Sequence, residues 1–155
     1  MQLLKILISA SLSIFFLSHS LHATNFSSAA ESVLQSNSHA ARAMYYGLLS
    51  LQNDSRIQVY YTWLYMCSAR NAALAAYLRA SAGYTSEATY NGLLAKNDTY
   101  QDWLYKSRAA SALYLTYLYG RPADSLQSIS YGYSALLYSG RAAYYTGLAS
   151  DGGVK

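Results

Sequence analysis

Two stretches of the chain, WLYMCSARNAALAAYL at 63–78 and WLYKSRAASALYLTYL at 103–118, align without a gap. They agree at Trp, Leu and Tyr, at two alanines, and at a closing Tyr-Leu. Upstream, YYGLLSLQND (45–54) echoes YNGLLAKND (90–98), and RAAYYTGLAS (141–150) echoes RAMYYGLLS (42–50). A chain that repeats itself every few tens of residues is built from one supersecondary unit that buries its apolar face on its copies. Ala and Leu dominate the repeats and favour helix, and no segment alternates as a strand does between turn pairs. The expectation is an all-α protein, an antiparallel helical bundle of four long helices plus one short helix, built from a duplicated helical hairpin.

Capping residues divide the chain. Ser28 precedes Glu31 by three positions, as Ser55 does Gln58, Asp98 does Gln101 and Asp124 does Gln127. In that spacing a side-chain oxygen accepts from a free backbone N–H of the first turn. Asn53, Asn97, Gly83 and Gly120 are stop signals, and Pro122 blocks continuation after Gly120. The expected helices are 28–52, 55–82, 86–96, 99–119 and 124–150, the first breaking near Asn37-Ser38 and the last bending at Gly140. In the second helix, Ile57, Tyr60, Leu64, Cys67, Leu74 and Leu78 recur at spacings of three and four, so this stripe is expected to face the neighbours.

The segment MQLLKILISASLSIFFLSHSLHA has one lysine, then an apolar run from Ile6 to Leu17, then small and polar residues to Ala23. That is the layout of a secretory signal peptide, with an apolar core too short for an ordinary membrane span. Residues 1–23 are therefore expected to be a leader, cleaved after Ala23 or after Ser20, and 24–155 one helical domain. The protein is expected to be secreted or periplasmic. Cys67, the only cysteine, lies among apolar neighbours and is expected to be buried.

Charged residues make up 12% of the chain, about half the usual ~25%. The net charge of +4 falls to +3 once Lys5 leaves with the leader, and no basic stripe of the kind nucleic acid requires is present. The missing polarity is supplied by 18 tyrosines, against three Phe and two Trp. A bundle this small cannot enclose so many phenols without leaving hydroxyls unpaired, so a substantial set is expected on the surface. Exposed rings on a weakly charged surface associate with a partner or with copies of the chain.

Four arginines sit in small-residue settings, one per long helix: Arg42, Arg70, Arg108 and Arg141. Converging, they would form a cationic site for a carboxylate, phosphate or sulfated sugar. Separate, each would stack on a tyrosine ring in water. With Trp63, Trp103, Tyr65 and Tyr105 they form the expected ligand-binding set. Catalytic signals are weak. After leader removal His39 is the only histidine, and no zinc or redox motif occurs. Neither a metal nor a cofactor is expected.

The leading expectation is an exported, non-catalytic binding or assembly protein. It would use tyrosine-rich helical faces to bind itself, another exported protein, a glycan or an anionic ligand. A small secreted enzyme centred on His39 is one alternative. A membrane-active helical protein is the other, although Arg70-Asn71 would lie in the middle of a span at Ile57–Leu78.

Overall fold

In a computed structural model, described for residues 2–151, the chain folds into four helices: α1 (Gln2–Asn53), α2 (Arg56–Ser86), α3 (Tyr90–Tyr119) and α4 (Pro122–Ser150). For residues 2–24 and Pro122 only the backbone is described, so the side chains of the expected leader lie outside the described residues. Each helix packs on the next, and α4 returns to α1, closing a ring of four seams. The connections are two or three residues long, which makes sequence neighbours antiparallel.

Four long helices replace the expected four plus one. The start expected at Ser28 and the break at Asn37-Ser38 are absent, because α1 runs through both. The two segments expected at 86–96 and 99–119 are one helix, α3. Its expected interruption at Asn97 is overridden by burial. Asp98 turns inward toward Arg141, and Thr99 Oγ1 donates to the Ala95 carbonyl at 2.7 Å, a bond internal to the helix. Gly83 is likewise no stop. A Cβ there would lie 2.8 Å from the Phe26 ring, and one at Gly92 would lie 2.9 Å from it. Both glycines make room for Phe26, which is 1% exposed. The α2–α3 turn is set instead by Thr89, whose side chain accepts from the Gly92 N–H at 3.0 Å.

The other turns follow the expected chemistry more closely. Gly120 takes φ +64° and donates its N–H to the Thr116 carbonyl, and Pro122 then opens α4. Ser55 caps α2 by position, without a side-chain bond. Asp124 lies in the first turn of α4 and pairs with Arg121 at 2.7 Å.

The interior is made of small residues. In α2 the buried positions are Thr62, Met66, Ala69, Ala73, Ala76 and Ala80. The bulkier stripe expected inside faces out, with Ile57 at 67% and Leu78 at 58% exposure. Both stripes keep helical spacing. The alanine stripe wins because small side chains let helix axes approach to the short end of the usual 8–10 Å range, where backbones pack directly. Ala29, Ala43, Ala95, Ala109, Ala135, Ala142 and Ala149 continue the pattern on the other helices. Buried threonine hydroxyls satisfy themselves within their own helix: Thr62 donates to the Gln58 carbonyl at 2.7 Å and Thr146 to the Ala142 carbonyl at 2.6 Å.

Candidate functional site: three aromatic seams and an open fourth

None of the 18 tyrosines is buried; nine are exposed and nine half-covered. Most do not stand alone. Along the α1–α2 seam, Tyr46 stacks on Tyr65 with centroids 5.4 Å apart and planes 7° apart. Along α3–α4, Tyr105 stacks on Tyr138 at the same 5.4 Å and 7°. The α2–α3 seam carries two related triads. Tyr60 meets Trp63 at 5.7 Å and Tyr117 at 5.4 Å; at a second level Tyr100 meets Trp103 at 5.6 Å and Tyr77 at 5.3 Å. The repeated sequence thus sets corresponding rings at two levels of one antiparallel seam. Each ring pair adds about 0.5–1.5 kcal/mol beyond burial of area.

The eight residues singled out from the sequence are divided among these seams. Arg42 lies over Tyr65 at 5.8 Å, Arg108 over Tyr105 at 5.4 Å and Tyr131 at 5.9 Å, and Arg141 over Tyr138 at 5.8 Å. Arg70 instead donates to Asn71 Oδ1 at 3.1 and 3.2 Å. Trp63 stands near the start of α2 and Trp103 midway along α3, each in its own triad on the α2–α3 seam. The structure therefore brings Arg42 to Tyr65, and Arg108 to Tyr105, as pairs. Cys67 is half-buried rather than buried, free, and in a groove of about 380 Å³ with Trp63, Arg70 and Tyr114. Burial raises its thiol pKa, and Arg70 offsets this in part. Its covering is incomplete because α2 turns Met66 and Ala69 inward and leaves position 67 at the seam.

At the centre lies a polar knot that the sequence did not announce. Lys106 Nζ donates to Asp102 Oδ2 (2.9 Å), Ser36 Oγ (2.7 Å) and Ser139 Oγ (2.8 Å). Ser139 donates to Asp102 Oδ1 at 2.6 Å, and Ser36 donates to the Ala69 carbonyl at 2.7 Å. Burial pushes the Lys106 ammonium pKa down and the Asp102 carboxyl pKa up, while their mutual attraction opposes both shifts. Every helix contributes a group. Lysine beside serine is a nucleophile–base pairing in principle. Here Lys106 is 1% and Ser36 0% exposed, and both hydroxyl protons are committed. The knot fixes the register of four helices; it offers no face to a substrate. Among the described residues His39 Nδ1 is buried and meets no hydrogen-bond partner, so none of their carboxylates orients that ring as in a catalytic triad.

The α1–α4 seam differs along its length. From Phe26 to Ser36 it is shut: Phe26 clusters with Ala149, Val33 with Ala142, and Lys106 bridges Ser36 and Ser139. Beyond Ala43 it opens into a groove of about 270 Å³. Its floor is Ala43, Gly47, Thr62, Met66, Leu113 and Gly132. Its lips are Met44, Leu48 and Leu51 on α1, and Ile129, Tyr133 and Leu136 on α4, all 40–69% exposed. Among the described residues no ring pair bridges this seam. Sequence reading missed it, although a signal existed. Positions 41, 44, 48 and 51 and positions 126, 129, 133 and 136 keep the three-and-four spacing of a second, outward stripe beside the small-residue one.

Among the described residues no cluster of His, Cys, Asp or Glu could hold a metal ion, and no helix is long and apolar enough to cross a membrane. No protein-family model, curated protein or solved structure matches the chain.

Proposed function

We propose that this is an exported, non-catalytic binding protein whose working surface is the open half of the α1–α4 seam. The single observation that carries the reading is the row of large apolar lips, 40–69% exposed, above an uncharged groove. Exposed apolar patches of this kind mark sites of association in soluble proteins. On the other three seams the rings are paired with each other and with arginine, so the tyrosine coat closes the bundle and leaves the aliphatic seam as the unpartnered face. The recurrence of Tyr-x-x-Trp on α2 and α3, with matching triads, supports duplication of a helix as the origin of the fold.

The test is binding of an environment-sensitive anilinonaphthalene dye to dilute protein. Fluorescence is expected to rise with the wild type and to fall at least about threefold in Leu48→Glu and Leu136→Glu, with helical circular dichroism unchanged. Equal fluorescence from all three proteins removes the reading.

A second reading has one observation in its favour. Arg108 lies over the rings of both Tyr105 and Tyr131, an arrangement suited to a sulfated or carboxylated sugar. Loss of heparin retention in Arg108→Ala would support it.

A further inference from the structure

We infer that the occupant of the open α1–α4 seam is a second copy of this chain, related by a twofold axis that sets the same face on itself. The inference rests on the seam being the working surface, and it names the partner.

Four features of the seam choose among occupants. First, the groove is small. At about 270 Å³ it is a site that side chains inserted from a facing helix pair can fill. Second, the lips are long and helical. Met44, Leu48 and Leu51 on α1 and Ile129, Tyr133 and Leu136 on α4 keep the spacing of knobs that enter holes on a facing helix pair. With Leu126 they offer, at their observed exposures, on the order of 700 Å², close to the ~800 Å² each partner gives to a standard interface.

Third, neither lip carries a charge. In a twofold interface every side chain meets the same surface it comes from, so a charged face would confront its own sign. The chain is net positive, and the charges nearest the face, Asp54, Arg56 and Arg121, stand at its one end beside Leu51, Leu126 and Ile129, so the stretch from Met44 and Leu48 to Tyr133 and Leu136 can pair with itself without repulsion. Fourth, Gly132 lies on the groove floor, and a Cβ added there would meet nothing within 4 Å. A glycine inside a helix costs about 1 kcal/mol relative to alanine. Gly140 and Gly147 of the same helix are equally open, and Gly132 differs from them in lying on the groove floor, where it keeps the space above it clear. The space above it receives a knob from the facing copy.

The experiment is a concentration series of the full chain, from about 1 to 500 µM, by light scattering after size exclusion, spanning the range in which a micromolar dimer forms. Wild type is expected to pass from monomer to dimer mass. Leu48→Glu is expected to weaken the association at least about 30-fold, as for a central contact. Gly132→Leu fills the groove from within its own chain. It is expected to fold at least as well as wild type and to lose the dimer to a similar degree. Leu78→Glu, an exposed apolar residue of α2 away from the seam, is expected to dimerise as wild type does.

A dimer that survives Leu48→Glu and Gly132→Leu overturns the inference, because its interface then lies elsewhere. A protein monomeric throughout the series also overturns it. If that monomer still brightens the dye through Leu48 and Leu136, the seam remains a binding surface for another partner. If the dye signal is absent as well, both proposals fall. Flotation of the monomer with phosphatidylcholine–phosphatidylglycerol vesicles, lost in Leu48→Glu, would assign the seam to a lipid surface instead and overturn self-pairing.

Discussion

The repeated segments around Trp63 and Trp103 wear the same exterior over different interiors. Outside, each Trp sits beside a Tyr three residues earlier and joins a ring triad on the α2–α3 seam. Inside, Thr62 and Met66 occupy the positions that Asp102 and Lys106 occupy in the other copy. Around Asp102 and Lys106 the bundle is locked: four helices share one polar knot and Phe26 is gripped by two glycines. Around Thr62 and Met66 the hydroxyl bonds its own helix, no side-chain hydrogen bond among the described residues joins α1 to α4, and the seam splays open. A few interior side chains thus decide whether a half of the bundle closes on itself or is left for a partner. The aromatic exterior, common to both halves, decides neither.

The largest effect should come from breaking the lock on one side only. Lys106→Met leaves Asp102 buried without its counter-ion, and removal of one partner from such a pair costs about 3–5 kcal/mol. Urea unfolding should show a loss of that size. The double substitution Asp102→Thr with Lys106→Met copies the interior of the other segment. Ser139 can then return its hydroxyl to its own helix, as Thr62 does. That double variant should recover to within about 1 kcal/mol of wild type or exceed it, since buried ion pairs seldom outperform well-packed neutral residues. A double variant as unstable as the single one would mean that the knot stabilises the fold outright.

One substitution made in both halves should give opposite signs. Gly83→Ala sets a Cβ 2.8 Å from the Phe26 ring, and overpacking of that kind costs about 1–3 kcal/mol. Gly132→Ala meets nothing and removes a helix-interior glycine, so it should gain about 0.5–1 kcal/mol. Thermal unfolding of both variants in dilute protein checks the pair. Equal signs would contradict the contrast between closed and open seams.

The sequence made the helical class legible, because Ala-Leu periodicity and a repeat leave few alternatives. It also made legible that phenols cover the surface, because their number exceeds what a small interior can satisfy. It misled wherever a residue's role depended on a distant helix. Asn53-Asp54-Ser55 and Asn97-Asp98-Thr99 read alike. The first ends a helix, with Asp54 at φ +47°; the second continues one, because Asp98 reaches Arg141 at 3.3 Å. Gly83 reads as a stop, and only Phe26, 57 positions earlier, shows why it is glycine. Which of two stripes turns inward was likewise undecided by hydrophobicity. Bulk argued for Ile57, Leu64 and Leu78; close approach selected alanine. The arginines, by contrast, were legible one at a time. Of the two arrangements open to them, Arg42, Arg108 and Arg141 show the ring contact, with Cζ 5.4–5.8 Å from a tyrosine centroid.

The smallest effect separates the halves by their response to acid. Burial raises the carboxyl pKa of Asp98 above the ordinary carboxylate range, and Arg141 only partly opposes it; Asp102 is raised for the same reason. Both belong to the locked half. Between its raised folded-state pKa and the unfolded value near 3.8, such a carboxyl binds its proton in the folded chain but not in the unfolded one. Its contribution is therefore fully present below that unfolded value and is lost as pH rises through the folded one. Asp98→Asn mimics the protonated form at every pH. The advantage of Asp98→Asn over wild type in urea midpoint should accordingly shrink as pH falls from 7 toward 4, because the wild type becomes neutral at that site too. The mirror change on the open side, Thr62→Val, carries no titrating group and should shift the midpoint equally at both pH values. If the Asp98→Asn difference instead stays constant or widens in acid, Arg141 outweighs burial, and the locked half is held by attraction between charges rather than in spite of their desolvation.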